Sequence, residues 1–227
     1  RPLAPGRVVN FPEIGYDPTI FHADRERPAF SGPGPFRFLF AGRLVPYKLP
    51  DVAVLAFADA PELAGHSLHV VGDGPEMERL RQIVAECGLQ DRVHFEGRRN
   101  QSELAGMMRD FDGFVFPSIR ELGAGVVIEA MACGMACFVA NYGAPGHLAG
   151  RGRGATVPIR DHAGYVGQFR KALAAAVSDP ARVAALAVAG QAYAERLYPW
   201  DRKASETMLY YRDVLAGRQI CDRGDYD

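Results

Sequence analysis

The sequence Glu121-Leu-Gly-Ala-Gly-Val-Val-Ile-Glu129 continues into Ala130-Met-Ala-Cys-Gly134 and contains a glycine turn that opens a helix. It follows an apolar run, Gly113-Phe-Val-Phe-Pro117, that is typical of a short buried strand. We predict a helix from Val126 to Cys133, ended by Gly134. The first N–H groups of such a helix have no partner within it, and its N-terminus has a partial positive charge. A phosphate is the natural occupant of such a turn.

Two carboxylates flank this turn. Glu129 lies about one turn into the predicted helix, where it can accept hydrogen bonds from two neighbouring hydroxyls. Glu121 lies at the mouth of the loop and can do the same for a second polyol. A phosphate turn between two such groups indicates a nucleotide sugar. Two glutamates at this spacing also occur by chance, so the interpretation depends on the whole string.

From Phe36 onward, apolar strands alternate with helices. We predict strands at 36–41, 67–71, 92–95, 112–116, 136–140 and 155–159, with helices at 50–60, 75–87, 103–109 and 126–133 among them. Ser102 is the predicted N-cap of the helix at 103–109. The alternation predicts an α/β fold, a Rossmann-like parallel sheet of about six strands with helices on both faces. Three C-terminal helices, at 163–177, 180–197 and 201–215, are predicted to follow it.

Two cations follow the first of these strands. Gly42-Arg43 comes directly after it, and Lys48 precedes the next helix. In an open parallel sheet, ligands gather at the carboxyl ends of the strands. There Arg43 and Lys48 can bind the oxygens of a diphosphate and stabilise its charge as it leaves. As a bare pattern, an arginine and a lysine are more often solvated surface residues, and that alternative stays open.

Four ordered elements resemble glycosyltransferase family 4, whose members have the GT-B fold. The string from Glu121 to Glu129 resembles the E-x7-E signature, and Gly42-Arg43-Leu-Val-Pro-Tyr-Lys48 resembles the Gly-Arg-x4-Lys element. Phe95-Glu-Gly97-Arg98-Arg99 resembles the Phe-x-Gly-x-Val loop, whose backbone faces the nucleobase in that family. Gly72-Asp73-Gly74-Pro75 resembles a Gly-Asp-Gly-Pro element, which we interpret mainly as a strand-to-helix connection.

The chain departs from the family pattern at several positions. Gly123-Ala124 stands where the family usually has Phe-Gly, which alters the phosphate turn but leaves both glutamates in place. Leu49-Pro50-Asp51 keeps the aspartate of the family's Gly-x-Asp and loses its glycine. The segment ending at His147 is interpreted as a loop in which histidine replaces the usual glutamate, and we give His147 no catalytic role.

The resemblance implies a role for each matching residue. Arg43 and Lys48 stabilise the leaving diphosphate, Glu129 holds the ribose and Glu121 positions the sugar. Arg98 and Arg99 line the base pocket, chiefly through their main chain; a solvated charge pair is the equal alternative. The expected catalytic residues are Glu121, Arg43 and Lys48, and the expected donor-binding residues are Gly42, Arg43, Lys48, Arg98, Arg99, Glu121, Gly123, Ala124, Gly125, Val126 and Glu129. No metal ligand and no cofactor are expected beyond the nucleotide-diphosphate sugar, which is a substrate.

The resemblance also implies a two-domain enzyme, of which this chain supplies the C-terminal, donor-binding domain. The whole enzyme would transfer a hexosyl group to a glycan, lipid or small-molecule acceptor, with retention and without a metal. We expect a linker segment at 1–35, a Rossmann-like nucleotide-sugar-binding domain at 36–200, and a C-terminal helix with a frayed tail at 201–227. The missing N-terminal acceptor domain is an expected partner, so the isolated chain is expected to be inactive. A non-catalytic nucleotide-sugar-binding or scaffolding domain, and another GT-B activity such as a sugar epimerase, stay open as alternatives.

Composition excludes other classes of partner. The 227 residues have a net charge of −1, which offers no basic field for nucleic acid. The four cysteines show no metal-ligand spacing and no sign of a disulfide scaffold, which favours a reducing cytoplasm. No apolar run of membrane-spanning length is visible in the sequence, so no span is expected in this chain.

Overall fold

Six strands form a single sheet in which every pairing is parallel, in the computed structural model, which describes residues 9–23, 34–221 and 226. The strands are β1 Arg37–Ala41, β2 Ser67–Val71, β3 Val93–Gly97, β4 Gly113–Phe116, β5 Ala136–Ala140 and β6 Ala155–Val157. Their order across the sheet is β3-β2-β1-β4-β5-β6. The strand order therefore reverses between β1 and β4, which is where open α/β sheets bind ligands.

Helices cover both faces of the sheet. They are α1 Pro50–Leu55, α2 Met77–Glu86, α3 Gln101–Asp110, α4 Gly125–Ala132, α5 Gly143–Ala149, α6 His162–Ser178, α7 Pro180–Leu197 and α8 Trp200–Leu215. One group of contacting helices consists of α1, α2 and α6, and another consists of α3, α4 and α7. The predicted Rossmann-like α/β class, with C-terminal helices after the sheet, is confirmed.

The core lies between these layers and the sheet. Every residue of β4 and β5 is buried, as expected of central parallel strands that are covered on both faces. Gly113 opens β4 because the rings of two neighbouring strands crowd it: a Cβ at this position would lie 2.7 Å from the Phe38 ring and 3.1 Å from the Phe138 ring. These rings pack edge to face, with centroids 6.0 Å apart.

Several predicted elements differ from the structure. The predicted cap Ser102 is wrong: α3 begins at Gln101, and the Asn100 side chain accepts from the backbone N–H of Glu103. The helix predicted at 50–60 begins at Pro50, as predicted, but it ends earlier, at Leu55. The segment interpreted as a loop around His147 contains α5. The sixth strand is three residues long and ends at Val157.

Both ends of the described chain pack against α8 or the residues before it. Tyr16 donates its N–H to the Tyr198 carbonyl and accepts from the N–H of Trp200. Tyr226, within the segment predicted to be frayed, is buried and accepts a hydrogen bond from Lys203 Nζ at 2.8 Å. The rest of the predicted linker and tail, at 1–8, 24–33, 222–225 and 227, lies outside the described residues.

Within the part of the chain that the structure describes, no single helix is long and apolar enough to cross a membrane. The pair α6 and α7 meets the length and composition test together, but the two helices are bent by 104° at their junction. All four cysteines are free thiols, with Cys133 and Cys137 buried.

Candidate functional site

A cleft of about 540 Å³ opens at the carboxyl edge of the sheet, beside the reversal of strand order. It is formed by the ends of β1 and β2, the loop after β3, the helix α3 and the first turn of α4. Six of the predicted donor-binding residues lie in its walls: Gly42, Arg43, Lys48, Arg98, Arg99 and Val126. Segments far apart in the sequence therefore converge on one hollow, and four of the six side chains are cationic.

Glu121 joins this group through Lys48. The Lys48 ammonium lies 2.7 Å from Oε1 of Glu121, and each side chain is only about one-seventh exposed, at 15% and 13%. The same ammonium lies 5.0 Å from the centre of the Phe116 ring, within cation–π range. Partial burial strengthens this ion pair relative to one at a fully exposed surface. The carboxylate expected to position the sugar and one of the cations expected to bind the diphosphate thus form an ion pair in the structure.

Arg43 and Lys48 are both cationic, but only Lys48 forms an ion pair among the described residues. Arg43 is exposed, and no ion pair engages its guanidinium among the described residues. Lys48 lies at the end of a 3-10 turn, Pro46–Lys48, that the following left-handed Leu49 ends. An anion in the cleft can therefore interact with the unpaired positive charge of the Arg43 guanidinium, whereas the charge of the Lys48 ammonium is already balanced by Glu121.

The turn before α4 adjoins the cleft, but Ala124 and Gly125 are not among the residues that line it. Ala124 adopts a left-handed conformation, φ 50° and ψ 46°, and no side chain caps the helix that begins at Gly125. The helix starts one residue earlier than predicted. Because the first N–H groups of a helix lack internal partners, this uncapped end can accept an anion. Val126, on the first turn, lies in the cleft wall.

The unusual Gly123 has a local explanation. A Cβ at this position would lie 3.2 Å from Cβ of Ile14, and one at Gly125 would lie 3.3 Å from the same side chain. Ile14 of the N-terminal segment thus packs against the turn where the family usually has Phe. Gly123 lines a neighbouring hollow of about 350 Å³, together with His147, instead of the cleft itself.

Glu129 lies one turn beyond Val126 on α4 and is not part of the cleft wall. Its carboxyl is partly buried, and burial raises its pKa from 4.5 to about 6. No charged partner offsets that cost in the described structure, which is unusual for a carboxylate. Sequence reasoning placed Glu129 one turn into the helix, and the structure agrees; its contact with a ribose remains a prediction.

Arg98 and Arg99 are exposed at the far wall of the cleft. Arg99 lies 3.3 Å from Glu96, whose carboxylate also meets His69 Nδ1 at 2.8 Å. The hydrogen bond from His69 lowers the pKa of Glu96, so this carboxylate remains ionised. Arg98 makes no ion pair in the described part of the chain, which suits either a main-chain role or simple solvation.

Six further residues of the cleft wall were not in the predicted site: Ala41, Val71, Gly72, Asp73, Gly74 and Leu104. Gly72, at φ +140°, approaches the preceding loop so closely that a Cβ would lie 1.9 Å from the Gly42 carbonyl oxygen. The N–H of Leu44 donates to the Asp73 carbonyl at 2.9 Å, which ties the two loops together. Apart from Leu104, which lies on α3, these residues lie at or just after the carboxyl ends of β1 and β2, and that position is the signal that could have identified them.

Comparisons with known proteins agree with this architecture. Residues 24–187 match the model of the family described as Glycosyl transferases group 1. A D-inositol 3-phosphate glycosyltransferase of Streptomyces bingchenggensis is 32% identical over 190 residues, 79% of this chain and 41% of that protein. This chain therefore spans less than half the length of that curated relative.

Two solved structures show the same fold. Sucrose-phosphate synthase of Thermosynechococcus elongatus has a TM-score of 0.76 at 25% identity, over 92% of this chain and 53% of that one. HepE of Anabaena, solved with UDP and glucose, has a TM-score of 0.75 at 21% identity, over 88% of this chain and 55% of its own. The family model covers residues 24–187, most of the chain, and both solved structures share its fold. The chain belongs to the group 1 glycosyltransferases, as a domain of their donor-binding type.

Proposed function

We propose that this chain binds the nucleotide-diphosphate sugar of an enzyme that transfers a hexosyl group to a glycan, lipid or small-molecule acceptor. The observation that carries the proposal is the single cleft in which Arg43 and Lys48 face Arg98, Arg99 and the first turn of α4. Residues 36–200 are the proposed donor-binding unit. Retention of configuration and independence from metal ions are proposed from the family resemblance of the string between Glu121 and Glu129.

The diphosphate is assigned to the cationic wall. Its oxygens would receive the exposed guanidinium of Arg43, the ammonium of Lys48 and backbone N–H groups at the start of α4. Fixed positive charge aimed at a leaving diphosphate lowers the barrier most, since charge develops there in the transition state. In this assignment the two side chains provide the charge stabilisation that a metal ion provides in other transferases.

The remaining parts of the donor are assigned from the family resemblance. The sugar lies beside Glu121, which is within 2.7 Å of Lys48, and the ribose lies along α4 toward Glu129. The base lies toward Arg98, Arg99 and Leu104. A ribose on Glu129 would supply hydroxyl donors to a carboxyl that has no charged partner, which favours the assignment.

Titration calorimetry with UDP, GDP, UDP-glucose and GDP-mannose tests the proposal. We expect the wild type to bind at least one nucleotide, and Arg43→Ala and Glu129→Ala each to weaken that binding about ten-fold or more, as for hydrogen bonds to charged groups. The matched control is Arg182→Ala, because Arg182 is an exposed arginine on α7 outside the cleft. Absence of binding, or equal binding by all four proteins, would refute the assigned site.

A further inference from the structure

Ser118 is a fully buried residue two positions beyond the end of β4, and its hydroxyl contacts Glu121, the ion-pair partner of Lys48. Its Oγ lies 2.7 Å from Oε1 of Glu121 and 3.4 Å from the Tyr47 carbonyl oxygen. A serine has one hydroxyl proton, and the short contact to a carboxylate is the stronger of the two. Ser118 therefore donates its proton to Glu121.

The two oxygens of Glu121 have different surroundings. Oε1 receives both Ser118 Oγ and Lys48 Nζ, each at 2.7 Å. Oε2 has no hydrogen-bond partner among the residues that the structure describes. A carboxylate can accept about four hydrogen bonds, so the second oxygen retains its capacity for a ligand hydroxyl.

A backbone hydrogen bond in the same region joins the loop that carries Lys48 to the loop that carries Glu121. The Tyr47 carbonyl, next to Lys48, accepts the N–H of Ile119 at 3.3 Å, next to Ser118. The loop after β1 and the loop after β4 are therefore held together where Lys48 and Glu121 meet. Loss of the Ser118 hydroxyl would leave Glu121 with Lys48 as its sole partner and free the carboxylate to rotate.

We propose that Ser118 is a positioning residue for the donor sugar. It fixes the Glu121 carboxylate so that one oxygen holds Lys48 and the other is presented to a sugar hydroxyl. This inference rests on the proposed function and deepens it, because it concerns the sugar alone. Ser118 touches no substrate itself, so its effect reaches the donor only through Glu121.

Two results are expected, and the second separates a positioning role from a merely structural one. In the ligand-free protein, Ser118→Ala and Glu121→Ala should be coupled, because the first removes the donor and the second the acceptor of the same hydrogen bond. In the donor complex, Ser118→Ala should weaken the binding of a nucleotide sugar more than that of the nucleotide diphosphate that lacks the sugar. A general loosening of the fold would affect both ligands equally.

The experiment combines a double-mutant cycle with paired titrations. Urea unfolding of wild type, Ser118→Ala, Glu121→Ala and the double variant gives the coupling, expected as a factor of about three or more in the unfolding equilibrium constant. Calorimetry then compares UDP with UDP-glucose and GDP with GDP-mannose. We expect Ser118→Ala to weaken the sugar-bearing ligand about three-fold or more beyond its effect on the diphosphate.

Two further variants serve as a control and as a replacement for Ser118→Ala in these measurements. Ser178→Ala is the matched control, since it removes a serine hydroxyl that donates to Ala174 on the exposed end of α6. Ser118→Cys, nearly equal in size and a weaker donor, replaces the alanine variant if that protein does not fold.

The outcomes separate this inference from the function on which it rests. Additive unfolding effects would overturn the positioning role without any reference to a donor. Coupling together with equal losses for both ligands of a pair would overturn the assignment to the sugar. A wild type that binds none of the four ligands would contradict the proposed function, and the sugar-positioning role with it, whatever the cycle shows.

Discussion

At Glu129 the chain keeps a carboxyl group where burial disfavours its charge. The pKa is raised to about 6 from 4.5, and the cause is desolvation alone. In the folded protein the group binds its proton more tightly than in the unfolded chain. The free energy of unfolding therefore falls as pH rises from 4.5 toward 6 and stays lowered above it. Such a cost is typical of a group retained for binding rather than for stability.

We predict that Glu129→Gln stabilises the ligand-free protein at neutral pH. The amide has nearly the same shape and no charge to desolvate, so the gain at pH 7.5 should reach up to about 2 kcal/mol, from 1.36 kcal/mol per pKa unit. The gain should shrink as pH falls through 6 and disappear below 4.5, where both folded and unfolded chains carry the proton. Urea unfolding of both proteins at pH 7.5 and pH 5 measures it. A gain independent of pH would show that desolvation of the charge is not its source.

Gly72, just after β2, lies in close contact with Gly42, just after β1. A methyl group at Gly72 would lie 1.9 Å from the Gly42 carbonyl oxygen, at a φ of +140° that other residues rarely adopt. We expect Gly72→Ala to lower the free energy of unfolding by about 2–4 kcal/mol, from steric overlap plus backbone strain. Gly65→Ala is the matched control, since Gly65 is exposed and nothing lies within 4 Å of its added Cβ. Equal midpoints in urea for these two variants would contradict the close approach.

At the scale of elements, the sequence pattern predicted the strands well because buried parallel strands are continuous apolar runs. The boundaries of β2 and β5 agree with the prediction, and α7 runs from Pro180 to Leu197 as expected. The helix α5 was missed because Gly143, Pro145 and Gly146 are typical of a loop. Tertiary contacts with β5 and β6 stabilise a helix there that local propensity disfavours.

The start of α3 shows why local capping signals compete. Asn100 and Ser102 are both good N-cap residues, and the pattern favoured Ser102. In the structure Asn100 forms a capping box: its side chain accepts from the N–H of Glu103 at 2.9 Å, and Glu103 accepts from the N–H of Asn100 at 2.9 Å. The cap closes the loop that carries Arg98 and Arg99 to the cleft.

We predict that Asn100→Ala lowers the free energy of unfolding by about 1 kcal/mol, which is typical of a lost N-cap. Ser102→Ala should change it by less than about 0.5 kcal/mol, because Ser102 is an exposed residue within the helix. Each variant shortens a polar side chain to alanine within the same helical turn, and urea unfolding compares them directly. The reverse order of effects would restore Ser102 as the cap.

At the scale of the whole molecule, the N-terminal segment connects the α8 region with the donor site. Tyr16 is bonded to Tyr198 and Trp200, and Ile14 packs against Gly123 and Gly125 in the turn before α4. The sequence identified the residues of the cleft through ordered motifs, but these contacts depend on the chain folding back over some hundred residues. No local pattern near Ile14 marks its partner. The N-terminal segment thus contacts both the turn at the start of α4, through Ile14, and the start of α8, through Tyr16.

In the proposed assignment, the cleft residues bind a sugar donor and none of them is assigned to an acceptor. The chain spans 41% of the length of the Streptomyces relative. Transfer requires the acceptor hydroxyl to be held against the sugar while water is excluded, and both effects are large. A cleft open on its outer side provides neither.

We therefore predict that the isolated chain binds a nucleotide sugar and transfers no hexosyl group to any acceptor. Radiolabelled UDP-glucose and GDP-mannose, incubated with the chain and with candidate glycan, lipid and small-molecule acceptors, should yield no labelled product. The Arg43→Ala variant measures the background of donor hydrolysis, which should be as low as that of the wild type. Joining the chain to the acceptor domain of a group 1 glycosyltransferase should give transfer that depends on Arg43. Robust transfer by the isolated wild-type chain, lost in Arg43→Ala, would show that one domain suffices and that the acceptor is held by residues outside the assigned cleft.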